Sequence, residues 1–113
     1  MSLGTTNPFY FLFKKGIVKK YVSDAGYIYR VSDEFIEDVL NNIPKLISKA
    51  KYIIVDQPDD KKVAYAIAFT LMNYFPEMSD KDICELVKTI FMMMSESTKK
   101  EILQEIYRKL KIM

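Results

Sequence analysis

The chain has no histidine and no tryptophan, a single cysteine, three glycines and four prolines among its 113 residues. Each scarcity excludes something. Without histidine there is no Ser-His or Cys-His nucleophile pair and no ordinary neutral-pH general base. His-containing zinc sites go as well, and one cysteine cannot build a thiolate site. That cysteine, Cys84, has no partner for an internal disulfide, so a reducing, cytoplasmic setting is expected. So little glycine and proline leaves no flexible linker. There is no Gly-rich phosphate loop of either the GxGxxG or the GxxxxGK[ST] kind. No run is long and apolar enough to span a bilayer, because Val63 to Phe75 is short and interrupted by Thr70 and Asn73. The N-terminus lacks the basic start, apolar centre and small-residue cleavage site of a leader. No cofactor or metal is expected, and the reading is non-enzymatic.

What is present suits one globular domain spanning residues 1–113, with half the residues hydrophobic and 28% charged. Net charge is only +2, but it is unevenly spread. Residues 1–31 hold Lys14, Lys15, Lys19, Lys20 and Arg30 against Asp24, a balance of +4, and the remainder sums to −2.

Residues 8–31 read as a β-hairpin region. Phe9-Tyr10-Phe11-Leu12-Phe13 looks extended, a candidate third strand. Ile17–Val22 and Tyr27–Val31 flank the turn Ser23-Asp24-Ala25-Gly26. A four-residue loop sets Val22 opposite Tyr27, Lys20 opposite Tyr29 and Val18 opposite Val31, which gives one apolar face for a core. A three-residue loop would instead pair Lys20 with Arg30. Either way a lysine faces Arg30, which like-charge repulsion disfavours.

Residues 32–113 read as a helical bundle. Ser32 is the expected N-cap of a helix whose stripe is Phe35, Ile36, Val39, Leu40 and Ile43. Pro44 is expected to end that helix or start the next. Residues 44–55 fit a helix or, at Tyr52–Val55, a short buried strand. Helix is preferred, although the apolar run is too short for periodicity to decide. Lys61–Phe75, apolar nearly all round, belongs at the centre of the bundle. Ser79 introduces a helix burying Ile83, Leu86, Val87, Ile90, Phe91 and Met94. Thr98 with Glu101 forms a capping-box pair for the last helix, on which Glu105 and Lys109 make an i,i+4 pair. The expected fold is mainly α with a small N-terminal β-hairpin (α+β), four to five helices packing around a central apolar helix.

Five features bear on function. Asp56, Asp59 and Asp60 share one loop. Carboxylates at that density can hold a divalent cation, but their spacing matches no calcium loop, and helix capping is the simpler reading. Cys84 reads as a small, partly buried side chain. Met92-Met93-Met94 cannot all face one way, so at least one should reach the surface or a subunit interface. The two helices 61–75 and 80–94 have helix-turn-helix spacing. The outer face of the second mixes Asp80, Lys81, Asp82, Glu85 and Lys88, a poor match to a phosphate-lined groove.

The hairpin is the most suggestive. Lys14, Lys15, Lys19, Lys20 and Arg30 interleave with Tyr21, Tyr27 and Tyr29. Cations can neutralise phosphates, and exposed tyrosines can stack on bases. The run from Lys15-Gly16-Ile17-Val18 through Tyr27-Ile28-Tyr29-Arg30-Val31 to Ser32-Asp33-Glu34-Phe35 resembles the wing of a winged-helix protein. That resemblance implies nucleic-acid contact through Lys14, Lys15, Lys19, Lys20, Tyr21 and Arg30. The segment before Gly16 is too short for the three helices of that family.

The expectation is a small non-enzymatic protein-interaction or regulatory module. It partners another protein or a second copy as a homodimer, with Met92, Met93 and Met94 as interface candidates. Nucleic-acid binding through the hairpin is the alternative.

Overall fold

The computed structural model describes residues 8–112. Its elements are α1 (Pro8–Lys14), β1 (Val18–Ser23), β2 (Gly26–Val31), α2 (Asp33–Val55), α3 (Asp59–Tyr74), α4 (Asp80–Met93) and α5 (Glu96–Ile112). The fold is mainly α with one antiparallel N-terminal hairpin, as expected. Residues 1–7 and 113 of the expected 1–113 domain lie outside the described residues.

Residues 9–13 are not a strand. They form α1, and the chain chemistry just after them explains why. The Ile17 amide donates to the Leu12 carbonyl at 2.9 Å and the Gly16 amide to the Phe13 carbonyl at 3.1 Å. With Gly16 at φ 75°, this is a Schellman ending, in which glycine takes the left-handed position. Its usual apolar contact is present, since Leu12 and Ile17 are both fully buried. Pro8 opens the helix, where a missing N–H costs nothing. The aromatic run favours strand by propensity, but the stop signal at Gly16 and the burial of Leu12 favour helix.

The hairpin has the expected register, with Val18↔Val31, Lys20↔Tyr29 and Val22↔Tyr27, and the ladder runs one pair further, to Ser23↔Gly26. Gly26, at φ 116°, takes the positive-φ position. The face argument does not hold along its length. Val18 and Val31 are buried at the base, but Val22 is 82% exposed and Tyr27 65%. The ribbon is anchored at its base by Ile17, Val18, Val31 and Ser32, whose side chains all lie in the core.

Ser32 caps α2 as expected, its Oγ accepting from the Phe35 amide at 3.2 Å. The helix does not stop at Pro44. It runs through Pro44 to a kink at Ala50, at φ −137°, ψ 26°, beyond which a second helical segment reaches Val55. Phe35, Val39, Ile43, Leu46, Ile47 and Ile54 are all buried along one stripe on both sides of the proline. At roughly 1.5–3 kcal/mol per buried side chain, that stripe outweighs the roughly 3 kcal/mol penalty of an interior proline. Residues 51–55 are thereby helix, not strand.

Helix α3 occupies the centre, touching α2, α4 and α5. Val63, Ala66, Ile67, Thr70 and Leu71 are buried along it, and so, against the polarity rule, is Lys62. Ser79 caps α4 through the Asp82 amide at 3.2 Å. On α4, Ile83, Leu86, Val87 and Ile90 are buried, while Phe91 is half-buried under the Lys99 ammonium at 4.0 Å. Helix α5 begins at Glu96, ahead of the expected Thr98 cap. Ser95 takes that role, its Oγ accepting from the Thr98 amide at 3.2 Å. Glu105 pairs at 2.6 Å with Arg108, one turn on, rather than with Lys109.

Candidate interaction surface

The hairpin and α1 together carry most of the large apolar side chains left exposed at the N-terminal end. Tyr10, Phe13, Val22, Tyr27, Ile28 and Tyr29 are each 47% exposed or more. α1 brings Phe9 and Phe13 onto the same side because they lie four residues apart. Both rings meet Tyr29 of β2 edge-on, Phe9 at 5.5 Å and Phe13 at 5.9 Å between centroids. These three rings and Tyr10 line an open cleft of about 310 Å³ at the foot of the hairpin.

The six sequence-predicted basic and tyrosine positions do not form one patch. Strand alternation puts Lys19, Tyr21 and Arg30 on one face of the ribbon and Lys20 on the other. Lys19 and Arg30 are cross-strand partners, the like-charge pair foreseen in the sequence, and each side chain is drawn elsewhere. Lys19 pairs with Glu34 at 3.1 Å, and the Arg30 guanidinium lies over the Tyr21 ring at 4.0 Å. On the opposite face the Lys20 ammonium lies over the Tyr27 ring at 4.0 Å. Lys14 donates to the Tyr10 hydroxyl at 3.3 Å, and Lys15 turns toward Phe75. The Glu34 carboxyl is held below the usual carboxylate range, first by a backbone amide at the start of α2 and then by Lys19.

The other candidates disperse. Met92 is 82% exposed, Met93 half-buried and Met94 in the core, so the triplet supplies one surface methionine rather than a patch. Cys84 is exposed, not partly buried, because it points out of α4 between buried Ile83 and Leu86. Asp59 and Asp60 sit in the first turn of α3, and Asp56 caps the end of α2. Among the described residues no three Asp, Glu or Cys side chains gather as a cation site would need. Among the same residues no helix is long and apolar enough to cross a membrane.

Two polar constellations were not anticipated. Lys62 is 4% exposed. Its Nζ donates to the backbone carbonyls of Gln57 and, at 3.4 Å, Val55, and it faces the Tyr107 ring at 5.4 Å. Tyr107 in turn donates to Asp59 Oδ1 at 2.5 Å, which raises its own pKa. This cluster ties the end of α2 to α3 and α5. The signal was available, since Lys62 falls in phase with Ala66 and Thr70, a charge on a buried stripe. The second is Tyr74, whose hydroxyl donates to Asp38 across α2 and α3. Its phenol pKa is pushed up to about 12 by burial, by that hydrogen bond, and by the charges of Asp38 and Glu34. The separation of 36 residues between them hides this pair from any reading along the chain.

No family model, curated protein or solved structure matches this chain.

Proposed function

We propose that this chain is a small non-enzymatic protein-interaction module and that the hairpin with α1 is its contact surface. One observation carries the reading: α1 and the hairpin leave Tyr10, Phe13, Val22, Tyr27 and Tyr29 exposed, with Ile28 exposed on the other face of the ribbon. Large aromatics left in water are what contact surfaces use. Keeping them solvated has a cost in solubility, which the lysines and arginine beside them offset.

The nucleic-acid reading is the second. What favours it is that Lys20 and Arg30 extend over Tyr27 and Tyr21 rather than entering an ion pair. The interaction reading is preferred because those cations already cover a face of each ring, the faces on which bases would stack.

The experiment is sedimentation velocity over a wide concentration range on wild type and on the Val22→Ser/Ile28→Ser variant. A labelled-oligonucleotide titration at roughly 50 and 200 mM salt runs beside it. Concentration-dependent assembly that the substitutions remove supports the module with a second copy as partner. Salt-sensitive oligonucleotide binding lost in Lys20→Ala/Arg30→Ala replaces it with the second reading. A monomer that binds no oligonucleotide directs the search to a different polypeptide.

A further inference from the structure

This inference rests on the interaction reading and concerns what the surface accepts. The cleft of Phe9, Tyr10, Phe13 and Tyr29 is walled by aromatic rings, two of which carry hydroxyls. Phe9 and Phe13 lie 20° from parallel with each other, while Tyr29 stands 81° to the first and 63° to the second. The rings stand at angles to one another around an open cleft of about 310 Å³, a size that suits one bulky apolar side chain rather than a row of stacked bases.

Two cations neighbour its walls. Lys14 bonds the hydroxyl of Tyr10, and Lys20, the cross-strand partner of Tyr29, extends over the adjacent Tyr27 ring. No carboxylate lines the cleft. Asp24, the one acidic residue among residues 1–31, lies at the hairpin tip, and Glu34 pairs with Lys19. An incoming ammonium would meet like charge, so the aromatic walls do not serve as a cage for cations. A second copy docked hairpin to hairpin would bring its own +4 segment against this one. The complementary partner is anionic outside and apolar at one point.

We infer that the cleft holds the bulky apolar side chain, Phe, Trp or Leu, of an acidic protein segment whose Asp or Glu residues flank that side chain and meet Lys14 and Lys20. The side chain lies in the aromatic cleft and supplies most of the affinity. The carboxylates set the sign of the charge that is admitted and raise the rate of encounter.

The test is selection of a random 16-residue peptide library displayed on phage against the full chain. Selected peptides are then measured in solution by fluorescence anisotropy. Enrichment of acidic peptides with a bulky apolar residue is expected. Their binding should weaken roughly tenfold when that residue becomes Ala, and similarly on Phe13→Ser. Lys20→Glu should weaken it several-fold and reduce its salt dependence. Phe13 and Lys20 are both exposed, and circular dichroism checks that the variants stay folded. Enrichment of neutral or basic peptides, or binding indifferent to Phe13→Ser, overturns the inference and leaves the interaction reading standing. No enrichment, with a monomer in sedimentation, overturns both. Displacement of bound peptide by single-stranded DNA at lower concentration than by the same peptide unlabelled also overturns it, in favour of nucleic acid.

Discussion

Replacing Lys62 by methionine tests whether its buried ammonium stabilises the fold. Methionine keeps the apolar stem and removes the charge. The loss begins with the bond to the Gln57 carbonyl and the weaker one, at 3.4 Å, to Val55. A charged hydrogen bond contributes roughly 1.5–3 kcal/mol net. The Val55 side chain is half-exposed, so water reaches that turn and replaces part of the loss. Burying the ammonium has its own cost, which the substitution relieves. Contact with the Tyr107 ring adds a little in the other direction. The expected net destabilisation is about 2 kcal/mol, or roughly 8 °C in Tm for a domain of this length. Urea unfolding followed by circular dichroism at constant m measures it. Stability equal to or above wild type would refute the reasoning, because desolvation of the ammonium would then outweigh its hydrogen bonds. Non-additivity with Tyr107→Leu is expected, since both side chains belong to one cluster.

Gly16→Ala should destabilise by about 1–2 kcal/mol from the positive φ alone, because an added Cβ would meet only Lys19 Cε, at an ordinary 3.7 Å. The same urea titration reads it. Ser32→Ala removes a buried cap and should cost about 1 kcal/mol by thermal unfolding. Tyr74 is raised from its unfolded value to about 12, so its contribution to stability is complete below about pH 10 and is lost as pH rises toward 12. A tyrosinate titration at alkaline pH should show a phenol titrating near pH 12 that is absent in Tyr74→Phe, while the raised Tyr107 phenol is kept in both. Glu34 is depressed, so the sign reverses: its contribution is present above the ordinary carboxylate range and is lost on acidification. Lys19→Gln should lessen the loss of stability on the acid side, the share due to the backbone amide remaining.

Much of the helical part was legible along the chain because its determinants are local. Ser32 and Ser79 cap by reaching three residues ahead, and the stripes of α2 and α4 recur at the helical period. The hairpin register was legible for the same reason, since a tight turn at Gly26 sets the pairing of everything behind it. The candidate site was only half visible. Its basic and aromatic residues could be named, but the cleft could not, because residues 9–13 looked extended. An aromatic pentapeptide suits a strand by composition, and only the Gly16 stop turns it into a helix with Phe9 and Phe13 on one side.

The class of fold, the caps at Ser32 and Ser79, the hairpin register and the basic N-terminal end follow from interactions within a few residues and can be read along the chain. Tertiary structure decided the rest. It carried α2 through Pro44 because the residues beyond the proline bury in the same core as those before it. It made Lys62 an interior residue because the end of α2 offers its carbonyls there. And it set Phe9 and Phe13 against Tyr29, since only the folded chain brings α1 to the hairpin and turns four separate aromatic residues into one cleft.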